Sequence, residues 1–365
     1  MKKILFILHT PPPVHGSSMV GKYILESEKI NLAFTCKYID LGTSGSIDEI
    51  GRGGLQKIGR YLCILFKVIF LLVSFRPHLC YIAITTQGLG FYKDSIIALI
   101  VRFFRIKRVY HFHNKGVESK HNNMFDHLLY RLVFQKAYVI ILSKYLHKDV
   151  EKYVPKNRLF ICANGIPEIS SILKPNQRKS KTKCLFLSNL LKSKGVFLLL
   201  DSIKYLQGQN HNLFFVSFVG GEGDITGKEF TSRINNLGIS QYAAYLGGIF
   251  GDEKNHIFSS SDIFVHPTFN DCFPLVIIEA MQHSLPVIST YEGGIPDIVK
   301  DGETGFLVPK NDPVALAEKL ELLIKNPELR NQMGQAGRKR YEELFKLDKF
   351  EKNLKNILNM IISKY

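Results

Sequence analysis

The chain alternates short apolar runs with helix-like segments, and it does so twice. In the first half, strands read at Ile4–Leu8, Phe34–Ile39, Leu79–Ile84, Arg108–Phe112, Ala137–Leu142 and Arg158–Cys162. Helical segments begin near Ser17, run through 55–75 and 92–104, and fill Met124–Phe134. A polar stretch, Lys174-Pro-Asn-Gln-Arg-Lys-Ser-Lys-Thr-Lys183, then has the composition of a linker. The alternation restarts with strands at Cys184–Ser188, Leu213–Val219, Ala244–Leu246, Ile263–Val265 and Pro286–Ser289. Strand–helix alternation of this kind dictates a parallel, doubly wound α/β sheet. Two such sheets are expected, over 1–172 and 184–345, joined by a linker at 173–183 and facing each other across a cleft. Ligands of these sheets bind beyond the carboxyl ends of the strands, and a domain boundary favours a pocket. A last helix at 346–365 carries apolar residues at Phe350, Leu354, Ile357, Leu358, Ile361 and Ile362, a stripe that needs a packing partner.

At 365 residues the chain suits two domains, and 45% hydrophobic with 22% charged residues is globular. Six scattered cysteines without a CxxC argue against a disulfide framework or zinc site and for a reducing, cytoplasmic setting. The apolar part of MKKILFILHTPPP is too short for a signal-peptide core and is read as the first strand. Net charge is +16, and between Gly51 and Val117 eleven Lys/Arg face one acid, Asp94. That stretch includes the apolar segment Tyr61–Phe75, broken by Lys67 and followed by Pro77. It reads as a core or interfacial helix rather than a membrane span, and basic residues beside apolar surface suit an anionic membrane face. Nucleic acid competes as an explanation of the charge but brings no recognition motif. A solvated basic surface is the plain alternative.

Several strand ends carry residues that a core does not require. His15-Gly16-Ser-Ser18 after the first strand can seat an anion at a helix start, or be a simple cap. His113 ends the strand at 108–112, where it can bond a hydroxyl, relay a proton or be structural. Asn189-Leu-Leu-Lys192-Ser-Lys194-Gly195 opens a helix with a cation, although the P-loop spacing is absent. Asp271 and Glu279 flank Phe273-Pro274-Leu275-Val-Ile-Ile278, and a carboxylate in so apolar a helix needs a partner. Gly293-Gly294 before Pro296 allows close backbone approach, with N–H groups turned toward a phosphate. No metal-ligand set, GxSxG elbow or dinucleotide GxGxxG emerges.

Together these motifs resemble the retaining GT-B glycosyltransferases of family 4 (glycosyl transferases group 1), most densely from 184 to 310. Asp271 and Glu279 fall on the E-x7-E motif, and Lys194-Gly195 on the phosphate-binding R-x(4–5)-K-G. Gly293-Gly294-Ile-Pro-Asp297, Gly302-x-Thr-Gly305 and Asn164-Gly165-Ile166 match further segments, as does His113 at a strand end. The resemblance implies two Rossmann-like domains and a last helix crossing back to the first. It implies a nucleotide-diphospho-sugar, UDP- or GDP-linked, on the second domain, with Glu279 on the ribose and Asp271 near the sugar. Lys194, Asn189, Gly293, Gly294, Gly16 and the Phe273-Pro274-Leu275 turn would complete the donor site, and His113, Asp271 and Lys194 the catalytic set, without a metal. The basic, apolar N-terminal half suggests as acceptor a glycan or polyprenyl-diphosphate-linked glycan of a bacterial surface polysaccharide, met at the inner face of the membrane, with no nucleic acid partner. Three positions depart from the pattern: Asp271 replaces a Glu, Asn189 an Arg, and His15 the first of two glycines. A sugar-nucleotide epimerase or a glycan phosphorylase is the alternative within this fold.

Overall fold

The protein is described by a computed structural model covering residues 1–42, 55–120, 122–169, 181–208 and 213–364. It divides into two compact units, Met1–Gly165 with Leu347–Tyr365, and Ile166–Lys346. Most of the expected linker lies outside the described residues. Its final residues are already strand, because the first strand of the second unit starts at Thr182.

The first unit is a six-stranded parallel sheet: β1 (Lys3–Leu8), β2 (Thr35–Asp40), β3 (Leu79–Ile84), β4 (Lys107–Phe112), β5 (Tyr138–Ile141) and β6 (Leu159–Ile161). Their order is β2-β1-β3-β4-β5-β6, so the direction of winding reverses between β1 and β3. Central β3 is buried along its whole length, as a strand covered on both faces must be, whereas edge strand β2 alternates. Helix Gly16–Glu26 starts from a capping box in which His15 accepts from the Ser18 amide and Ser18 accepts from the His15 amide. The closing helix Leu347–Ser363 buries Phe350, Leu354, Ile357, Leu358 and Ile361. It packs on helix Glu28–Ala33, where Lys29 pairs with Asp348 and Glu351.

The second unit repeats the design with β7 (Thr182–Leu187), β8 (Phe214–Val219), β9 (Ala243–Tyr245), β10 (Ile263–His266), β11 (Val287–Thr290) and β12 (Gly305–Val308). Its order, β12-β11-β10-β7-β8-β9, is the dinucleotide-fold order, with the switch point between β7 and β10. One hydrophobic core joins Phe186, Val216 and Phe218 of this sheet to Leu199 and Ile203 of helix Val196–Gln207 and Leu320 of helix Pro313–Lys325. Strand β12 and helices Glu28–Ala33 and Pro327–Leu344 had no counterpart in the sequence reading.

Candidate functional site

In the second unit the residues singled out by sequence gather at the switch point. Lys194 ends a short 3-10 turn after β7, and Gly195 caps the helix that follows. The Lys194 ammonium lies 2.5 Å from Asp271 Oδ2 and 3.3 Å from the Asn270 carbonyl. His266, the last residue of β10, brings Nε2 to 3.3 Å from the same Asp271 oxygen. Burial alone would raise the Asp271 carboxyl. The Lys194 charge and the His266 ring outweigh it and hold the group below the usual carboxylate range. Burial lowers His266 despite its acidic neighbour, so the ring is held neutral.

Behind Asp271 stands a residue that sequence reasoning missed. Glu292, just after β11, accepts the Asp271 amide at 3.2 Å and pairs with Lys310. Its position between a strand end and Gly293 was a usable signal; nothing in the sequence singled out Lys310. Gly293 sits at φ +51, and a Cβ there would lie 2.1 Å from the Asp271 carbonyl. The glycine is therefore required by the Asp271 loop itself. The Gly294 amide donates to the Cys272 carbonyl at 2.7 Å. This corrects the expectation that the Gly294 N–H faces a phosphate: it is consumed in bracing the loop.

Glu279 lies on helix Leu275–Gln282, which starts from Pro274. Its Oε1 is 2.6 Å from Lys254 Nζ, on helix Gly251–Ser259, while Oε2 is buried with no partner among the described residues. Lys254 was also missed, since a lone lysine on a polar helix carries no signal. The helix is less enclosed than its sequence suggests, because the Glu279 side chain keeps 22% of its surface exposed. Phe273 is buried and meets the Phe345 ring edge-on, so its side chain packs in the core. Pro274 offers no side-chain cap, leaving the first-turn amides without a side-chain acceptor. Asn189 accepts the Gly221 amide at 3.2 Å and ties together the loops after β7 and β8. Lys192, a second cation in the same turn, has an exposed side chain.

The first unit presents a second cluster at its own strand ends. Tyr81 and His111 share a short hydrogen bond, and the His111 and His113 rings lie 4.3 Å apart. Burial holds His113 down to about 3 and His15 to about 4, with His9 reinforcing both. His113 Nδ1 is buried without a partner among the described residues. Asp94 is fully buried; its Oδ2 accepts the Thr85 amide at 2.8 Å and Lys93 lies 3.7 Å away. Space around the Gly16 Cβ position is open, so no packing demands that glycine.

Two doubly wound sheets and this charged switch point define a class. Residues 169–340, nearly the whole of the second unit, match the family model described as glycosyl transferases group 1. The chain has the GT-B fold of such enzymes: it matches sucrose-phosphate synthase from Thermosynechococcus elongatus with a TM-score of 0.77 at 17% identity over 100% of both chains. HepE from Anabaena, solved in complex with UDP, gives 0.75 at 17% identity over 99% of this chain and 100% of its own. Among curated proteins, the capsular polysaccharide biosynthesis glycosyltransferase CapM of Staphylococcus aureus is 30% identical over 181 residues, 48% of this chain and 46% of the relative. The chain spans about half the length of the curated relatives it matches first.

Proposed function

We propose that the protein is a glycosyltransferase that takes a sugar from a nucleotide-diphospho-sugar, with retention of configuration, and transfers it to a glycan acceptor of a surface polysaccharide. The observation that carries the donor assignment is Glu279: one oxygen held by Lys254, the other buried and without a partner among the described residues, within the family-matched segment. A carboxylate oxygen removed from water costs free energy until a donor reaches it, and a ribose hydroxyl supplies that donor. Lys194 and the first turn at Leu275, which has no side-chain cap, offer positive charge and the Leu275 and Val276 N–H groups for a diphosphate. Asp271 is held ionised beside them, where the sugar would sit. In same-face transfer the departing phosphate accepts the acceptor proton, and Lys194 lowers the cost of the charge that develops. His113, neutral at physiological pH, is suited to bonding a sugar hydroxyl. The UDP complex of HepE and the capsular role of CapM support a uridine donor and a surface-glycan product.

The test is a thermal-shift panel of UDP, GDP and ADP with their sugars, followed by transfer assays. Glu279→Gln is expected to weaken UDP binding about tenfold or more, the loss of a charge-assisted hydrogen bond. Lys194→Ala is expected to lower kcat by a hundredfold or so, as for removal of a charge that acts on the transition state. Wild-type binding and turnover in both variants would sink the assignment.

A further inference from the structure

Three helices lie side by side on one face of the first sheet: Leu55–Ser74, Gly88–Phe103 and Met124–Phe134, each packed on the next. Each is apolar on its inner face, as it must be. The outer faces are apolar as well. On Leu55–Ser74, Ile64, Val68 and Leu72 are buried, while Leu62, Phe66, Ile69, Phe70 and Val73 form an opposite stripe open to solvent. Phe66 is 72% exposed. The second helix exposes Leu89, Ile96 and Phe103, one every seven residues and so on one line. The third exposes Met124, Phe125 and Leu128. Fourteen of the twenty-nine large apolar side chains exposed among the described residues lie on these helices. A soluble surface scatters such residues singly; a contiguous field of them marks a binding face.

Among the described residues, the exposed charges on these helices have one sign. Lys57, Arg60, Lys67, Lys93, Arg102 and Arg131 are the cations of these helices, Lys93 also meeting the Leu41 carbonyl and Arg102 the Leu132 carbonyl. The two acids on these helices, Asp94 and Asp126, are both buried, and Asp126 is occupied by the Tyr92 hydroxyl. Two-sided apolar helices with flanking Lys/Arg and no exposed acid fit a surface that is apolar beneath and anionic above. No helix among the described residues is long and apolar enough to cross a membrane. We propose that this three-helix face docks in the plane of an anionic phospholipid bilayer, with Phe66 and Phe70 inserted below the headgroups. The proposal stands apart from the transferase reading, because docking needs no donor or acceptor.

Co-flotation of the full chain with vesicles tests it, using phosphatidylglycerol mixed with phosphatidylcholine and phosphatidylcholine alone. Expected is flotation with the anionic vesicles at low salt, reduced about fivefold for each of Arg60→Gln and Lys67→Gln. Phe66→Ser with Phe70→Ser should abolish it while leaving the melting temperature and UDP binding unchanged. Cys63, an exposed thiol beside the stripe, gives a second readout: an environment-sensitive dye on it should shift to the blue when anionic vesicles are added. Protein that stays at the bottom of the gradient with phosphatidylglycerol at low salt overturns the proposal. So does a concentration-dependent dimer in sedimentation velocity that the double serine variant abolishes, which would give the face to a second copy of the chain.

Discussion

At the scale of single residues, the histidines of the first unit set an acid limit. His111, His113 and His15 are all held below the ordinary imidazole value of 6.5, chiefly by burial. A group whose folded value is depressed leaves the unfolded chain with more protons as pH falls through 6.5. The stability they contribute is therefore complete above pH 6.5 and is lost below it, by about 1.4 kcal/mol per pH unit for each histidine still refusing its proton. The melting temperature should fall steadily from pH 7 to pH 5. His111→Asn should make that slope shallower, and an unchanged slope would show that the cluster does not govern it. The same scale marks the limit of what was readable. Asp271, Glu279 and Lys194 stood out because each breaks a local expectation of its segment. Their partners Lys254, Glu292 and Lys310 are ordinary residues in ordinary places, joined to them only by tertiary packing.

At the scale of elements, the strands were legible to within a residue or two, because burial on parallel sheets writes a strong pattern, whereas helix Gly88–Phe103 starts four residues before the 92 read from sequence. Strand β3 and helix Met124–Phe134 have the limits read from sequence. Helix Pro327–Leu344 was missed for an opposite reason. Its inward residues are Met333, Gly334, Gly337 and Tyr341, too small and too few for an apolar stripe. It packs closely on helix Leu275–Gln282, and a Cβ on Gly334 would meet the Ser284 carbonyl at 2.1 Å. Gly334→Ala, harmless on an isolated helix, should therefore cost about 1–3 kcal/mol by overpacking. Denaturant titration of the purified variant checks it, and a stabilised or neutral variant would mean that the helix can shift without cost.

At the scale of the molecule, the last helix belongs to the first unit. Removing Leu347–Tyr365 takes away five buried apolar side chains, each worth about 1.5–3 kcal/mol of burial. That sum is comparable with the whole stability of an ordinary domain, about 5–15 kcal/mol. A chain ending at Lys346 should keep a protease-resistant fragment spanning the second unit and lose resistance in the first. Equal resistance of both units would show that the helix is dispensable to the fold.

The return of the chain to its first unit also bears on the order in which the protein can be made. Residues Ile166–Lys346 are contiguous, so the second unit has its whole sequence as soon as Lys346 leaves the ribosome. The first unit begins to emerge much earlier, yet its helix Glu28–Ala33 lacks its packing partner until Leu354 and Leu358 have been made. The first unit is thus completed after the second, and a stop codon directly after Lys346 would damage the unit whose synthesis began earlier.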